Sequence, residues 1–198
     1  ALERFEMNED GIHFQYSPVP EYKMALTIQS GTAYDTMSPP SIAIWLENQG
    51  GYHIKTLYTP DAPQATYLPY WSFKVKGWER AKEEAQAEVL NEVDGLSGAT
   101  PNGSFDPADY ILPTEPGTST PYKILIEINL PPDAQGVYTD QPSLVYAVTI
   151  DNAWPKTFQL LDIVGYPKRE DDEDQEMWGL YYVDENFGST TALIDSAL

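Results

Sequence analysis

"SIAIWLENQGGYHIKTLY", residues 41–58, decides the fold. Two runs rich in β-branched and aromatic residues flank Asn48-Gln49-Gly50-Gly51. Glycine and asparagine reach the backbone angles that a tight reversal needs, so the stretch predicts a β-hairpin with that tetrapeptide as its turn. Upstream, "RFEMNEDGIHFQYS" predicts another hairpin, with Asp10-Gly11 as the turn pair. "YKMALTIQS" (22–30) sets Met24, Leu26 and Ile28 on one face of a strand. Downstream, "PYKILIEINLP" (121–131), "SLVYAVTID" (143–151), "TFQLLDIVGY" (157–166), "WGLYYVDE" (178–185) and "STTALIDSA" (189–197) read as further strands. Many short strands punctuated by proline and glycine predict a mainly β chain. The expected form is a single-domain antiparallel β-sandwich over 1–198, of the immunoglobulin or fibronectin kind.

One prominent helix is expected in "GWERAKEEAQAEVLNEVDG" (77–95). Trp78, Ala81, Ala85, Val89 and Val93 recur at spacings of three and four, giving one apolar stripe, and Gly95 supplies a stop signal. Residues 101–121 are loop-rich, and "KREDDEDQE" (168–176) is expected as a solvated loop between strands.

Composition narrows the function. Asp and Glu total 31 against 11 Lys and Arg, for a net charge of −20. Such a field repels nucleic-acid phosphates and anionic headgroups, so neither partner is expected. There is no cysteine, which removes disulfides, thiolate nucleophiles and Cys-ligated metal centres. No apolar run is long enough to cross a bilayer, so no membrane insertion is expected. The chain opens on "ALERFEMNED", and an exported protein whose leader had been removed would also begin this way, so composition alone does not decide the compartment.

Candidate chemistries are few. His13 and His53 both fall in strand runs, and Ser97 sits in "GLSGA" rather than a G-x-S-x-G elbow, so a Ser–His–Asp hydrolase is not expected. The acidic run 170–176 lacks the spacing and central glycine of an EF-hand; it is either a weak Ca²⁺ site or an unliganded loop. The aromatic clusters "YLPYW" (67–71) and "WGLYY" (178–182) are either sugar-stacking faces or core.

The most specific signal is "VDGLSGATPNG" (93–103). Asp94-x-x-Ser97-Gly98-Ala99-Thr100 resembles the flavinylation motif Asp-x-x-(Ser/Thr)-Gly-Ala-(Thr/Ser) of FMN-binding redox domains. The resemblance implies that a flavin transferase moves FMN from FAD onto Thr100 as a phosphodiester. Gly98 and Ala99 then leave room for the transferase and for close approach of the flavin phosphate. In the same reading, Asp94 is expected to orient the exchange or to bind the transferase's metal. In those domains the motif lies near the end of a small sheet domain; here it is mid-chain, so the motif carries over and the fold does not. The bland alternative is that a turn needs small residues and Thr100 is a turn hydroxyl.

Most of the chain, roughly 24–195, also resembles a predicted periplasmic protein family, domain of unknown function 2271. The likeness rests on the strand pair reaching Lys55-Thr56-Leu57, on "LPYW" before a helix, on the Asp94–Thr100 motif and on Gln141-Pro142-Ser143-Leu144-Val145-Tyr146. It implies a periplasmic location and a setting of flavin transferases and membrane redox proteins. The expected function is an electron carrier, not an enzyme, with covalent FMN held by Asp94, Ser97, Gly98, Ala99 and Thr100. In that reading Trp78 or the "YLPYW" aromatics pack on the isoalloxazine. The alternative is a binding or structural β-sandwich without cofactor.

Overall fold

The computed structural model describes residues 2–19, 22–59, 67–77, 121–130, 143–151, 158–170, 173, 176–184, 187 and 189–198. The chain is mainly β, with two antiparallel sheets. One has four strands in the order β1 (Leu2–Asn8), β2 (Gly11–Val19), β3 (Tyr22–Ser30) and β10 (Ile194–Ala197). The other has six, in the order β5 (His53–Tyr58), β4 (Ser41–Asn48), β6 (Tyr122–Asn129), β7 (Leu144–Ile150), β8 (Asp162–Arg169) and β9 (Trp178–Tyr181). A helix, α1, occupies residues 69–77, and a 3-10 turn, Ser189–Ala192, precedes β10.

The sheets pack face to face through period-2 patterning. Phe14, Tyr16, Leu26 and Ile28 of the small sheet are buried against Ile42, Ile44, Ile124, Ile126 and Tyr146 of the large one. Phe5 and Tyr58 stack across the layers with ring centroids 3.7 Å apart, and the Lys55 ammonium lies over the Tyr16 ring at 5.3 Å. The backbone N–H of Leu161 donates to the Ala197 carbonyl at 2.9 Å, tying the β10 edge to the chain entering β8.

The first hairpin forms with a shifted turn. Asn8 pairs with Gly11, so the loop residues are Glu9 and Asp10, and Gly11 opens β2. The Asp10 N–H donates to Asn8 Oδ1 at 3.0 Å, an Asx turn that starts the reversal. Gly11 has φ +130°, and a Cβ built there would lie 1.9 Å from the Ile28 carbonyl oxygen on β3. Gly11→Ala should therefore lower stability by about 2 kcal/mol, read by urea unfolding, because strained backbone and an overlap with β3 act together. A loss under about 0.5 kcal/mol would show that the strand relaxes freely there.

The large sheet buries side chains on both faces. Its second face carries Ala43 and Trp45 on β4, Leu125 and Glu127 on β6, and Val145 on β7; all are buried. What covers them is α1 with its lead-in residues: Leu68 and Tyr70 are buried there and Trp71 packs alongside. The expected helix begins at Gly77, but the chain is already helical from residue 69. The rest of that expected helix, Trp78 to Gly95, lies outside the described residues.

Candidate functional site

The helix-bearing face of the large sheet collects the unusual side chains. Pro69 is the first helical residue of α1, where its missing N–H costs nothing and its fixed φ suits the helix. The preceding residue, Leu68, is fully buried and has no side-chain acceptor, so the first N–H groups need another partner. Glu127 supplies it from β6. The Tyr70 N–H donates to Glu127 Oε1 at 3.1 Å, and the Trp71 N–H donates to Oε2 at 2.7 Å. The Ser143 hydroxyl adds a third bond to Oε1 at 2.5 Å. Glu127 is completely buried; desolvation raises its pKa to about 7, against the opposing pull of those three bonds. The carboxyl thus titrates near neutrality at the root of the helix.

Glu47, on β4, is the second buried acid. The Trp45 indole N–H donates to its Oε1 at 3.0 Å, and Lys74 of α1 places its ammonium 3.7 Å away. Burial raises the Glu47 pKa, and the Lys74 charge partly offsets that. Lys74 also donates to the Gly51 carbonyl at 2.8 Å and lies 5.2 Å over the Tyr70 ring. The helix is thereby clamped to the β4–β5 turn. Burial, reinforced by Glu47 and Glu127, raises the Tyr70 phenol above its ordinary range, so it stays a neutral hydroxyl. A third tie joins His53 Nε2, Thr56 Oγ1 and Trp71 Nε1, at 2.7 and 3.0 Å.

Beside α1 the same face is open. A groove of about 730 Å³ runs between Tyr70 and residues 158–160 over a floor of β6, β7 and β8. Strand register divides that floor. Glu47, Lys123 and Thr149 form one cross-strand row, and Leu125, Ala147 and Asp162 form the next. Leu160, Val164 and Leu180 add apolar surface around that second row. Phe158 is 69 % exposed and Leu160 57 % exposed on the rim. Gln159 fixes the 158–160 segment by donating to the Thr149 carbonyl at 3.0 Å.

The residues expected from the motif, Asp94, Ser97, Gly98, Ala99 and Thr100, lie outside the described residues, as does Trp78. Of the "YLPYW" aromatics, Tyr70 reaches the groove and Trp71 faces Thr56. Among the described residues no three His, Asp or Glu side chains converge as a metal site. Sequence reading missed Glu127 and Glu47. The available signal was a carboxylate inside each of two strands, "SIAIWLEN" and "YKILIEIN", whose neighbours are otherwise mostly apolar. That pattern points to a second buried face with backbone donors to satisfy.

Among the described residues no helix is long and apolar enough to cross a membrane. No family model, no curated protein and no solved structure matches the chain.

Proposed function

We propose that this chain is an extracytoplasmic electron carrier with FMN attached through Thr100. The observation that carries the reading is the order Asp94-x-x-Ser97-Gly98-Ala99-Thr100, in which small residues precede a hydroxyl acceptor. The attachment is a transesterification at phosphorus. The Thr100 oxygen bonds to the FMN phosphorus of FAD, the pyrophosphate P–O bond breaks, AMP leaves and the hydroxyl proton is released. When bound, the flavin supplies reversible electron transfer between a membrane donor and an acceptor. The protein supplies the tether, which holds the flavin at high effective concentration and prevents its loss.

Co-expression with a flavin transferase should add the mass of one FMN less water at Thr100, and Thr100→Val should abolish the adduct completely. Intact-mass and peptide mass spectrometry read both. A chain that stays unmodified beside an active transferase would remove the reading.

The exposed apolar rim at Phe158 and Leu160 favours a second reading, a binding module without cofactor. It expects native protein that is colourless and held in a stable complex with a protein or glycan.

A further inference from the structure

We propose that the groove between Tyr70 and residues 158–160 is the seat of the flavin's isoalloxazine ring, an inference that rests on the carrier reading above. Three properties of the groove select this occupant. Its volume, about 730 Å³, falls within the range of small-molecule sites. Its lining is polar at one end, through Glu47, Lys123 and Thr149, and mostly apolar at the other, through Leu125, Ala147, Leu160, Val164 and Leu180, with Asp162 beside Ala147 the one acid there. An isoalloxazine has the same division, with a dimethylbenzene edge and a pyrimidinedione edge carrying carbonyl and N–H groups. The Lys123 ammonium is a donor for the carbonyls, and the Thr149 hydroxyl serves either a carbonyl or an N–H. Phe158, exposed on the rim, offers a ring face to a planar tricycle.

The covalent link bears on the affinity required. Thr100 follows Gly77, the last described residue of α1, by 23 positions in the sequence. A ring tethered through the same chain meets the groove at an effective concentration of about a millimolar, so weak intrinsic affinity is enough.

The test uses free lumiflavin, the isoalloxazine without ribityl phosphate, added to unmodified full-length protein. The expected result is saturable quenching of lumiflavin fluorescence with a dissociation constant below about 1 mM. Phe158→Ala should weaken binding at least about fivefold through the loss of ring contact. Ala147→Leu, which fills the floor, should abolish it. In transferase-treated protein the same two variants should restore fluorescence to the flavin on Thr100 while leaving its mass adduct intact. Saturable binding that ignores both variants, or no binding together with identical fluorescence of all modified forms, overturns the seat and leaves the adduct on Thr100 untouched. Variant-sensitive binding of lumiflavin without any adduct on Thr100 does the reverse: the seat stands and the tether falls.

Discussion

Trp45→Ala will lower the unfolding free energy by about 4 kcal/mol, the usual loss for a large aromatic removed from a packed interior. Trp45 has no exposed surface and lies between β4 and α1, with its ring centroid 6.3 Å from that of Tyr70. Two costs add. The cavity lies under the helix, among Ala43, Leu68, Leu125 and Val145, where a β-sheet floor has little freedom to collapse. The indole N–H also leaves Glu47, a carboxylate with almost no access to water, and removes one of its compensating donors. Trp45→Phe separates the two, keeping much of the volume and losing the hydrogen bond, for about 1–2 kcal/mol. Met37→Ala is the control: the side chain is 91 % exposed, and a change under about 0.5 kcal/mol is expected. Urea unfolding reads all three. A loss below about 1 kcal/mol for Trp45→Ala would mean that the helix does not rest on this residue.

The weight that Trp45 bears explains which parts of the fold were legible in the sequence. β3 was readable to the residue, because Met24, Leu26 and Ile28 alternate along it. The β4–β5 hairpin was readable because Asn48 and Gly51 make its turn from local hydrogen bonds. β8 was not: the apolar run 157–166 predicts a strand, but the ladder begins at Asp162 and runs on to Arg169. Its limits come from pairing with β7 and β9 and from Gly165, at φ +149°, where the register shifts. Phe158 and Leu160 therefore stand out in solvent at the groove instead of extending the strand. Lys168 and Arg169, expected in a solvated loop, are strand residues for the same reason. The early start of α1 was half legible. Pro69 is a fair first-turn signal, but no cap precedes it, because the cap comes from Glu127, 57 positions beyond Tyr70. A site assembled from β4, α1, β6, β7 and residues 158–160 has no short sequence signature at all.

Glu127 carries the other large effect, and pH sets its size. Glu127→Ala leaves the N–H groups of Tyr70 and Trp71 without acceptors in a dry place, for an expected loss of about 3–4 kcal/mol. It should also loosen α1, read as increased quenching of tryptophan fluorescence by iodide. The native carboxyl has its own pH signature. Its pKa is about 7 in the fold and near 4.5 when solvated. Between those values the unfolded chain has lost the proton and the folded chain still holds it, so stability falls as pH rises through that window. The contribution is fully present below 4.5 and gone above about 7, a difference of about 3 kcal/mol. Glu47, also raised by burial, acts in the same direction. The Ser143 hydroxyl serves both states, donating to the carboxylate or accepting from the carboxylic acid, so the helix stays capped throughout. Glu127→Gln should then cross the parent. At pH 5 the amide turns an NH₂ toward a backbone N–H and is less stable by about 1–2 kcal/mol, whereas at pH 8 it escapes the cost of a buried anion and is the more stable form. Other acidic groups tilt both curves alike, so the crossing belongs to Glu127. Parallel curves from pH 5 to pH 8 would mean that this carboxyl keeps one protonation state over the whole range, and that α1 is held by an anion or by an acid but not by each in turn.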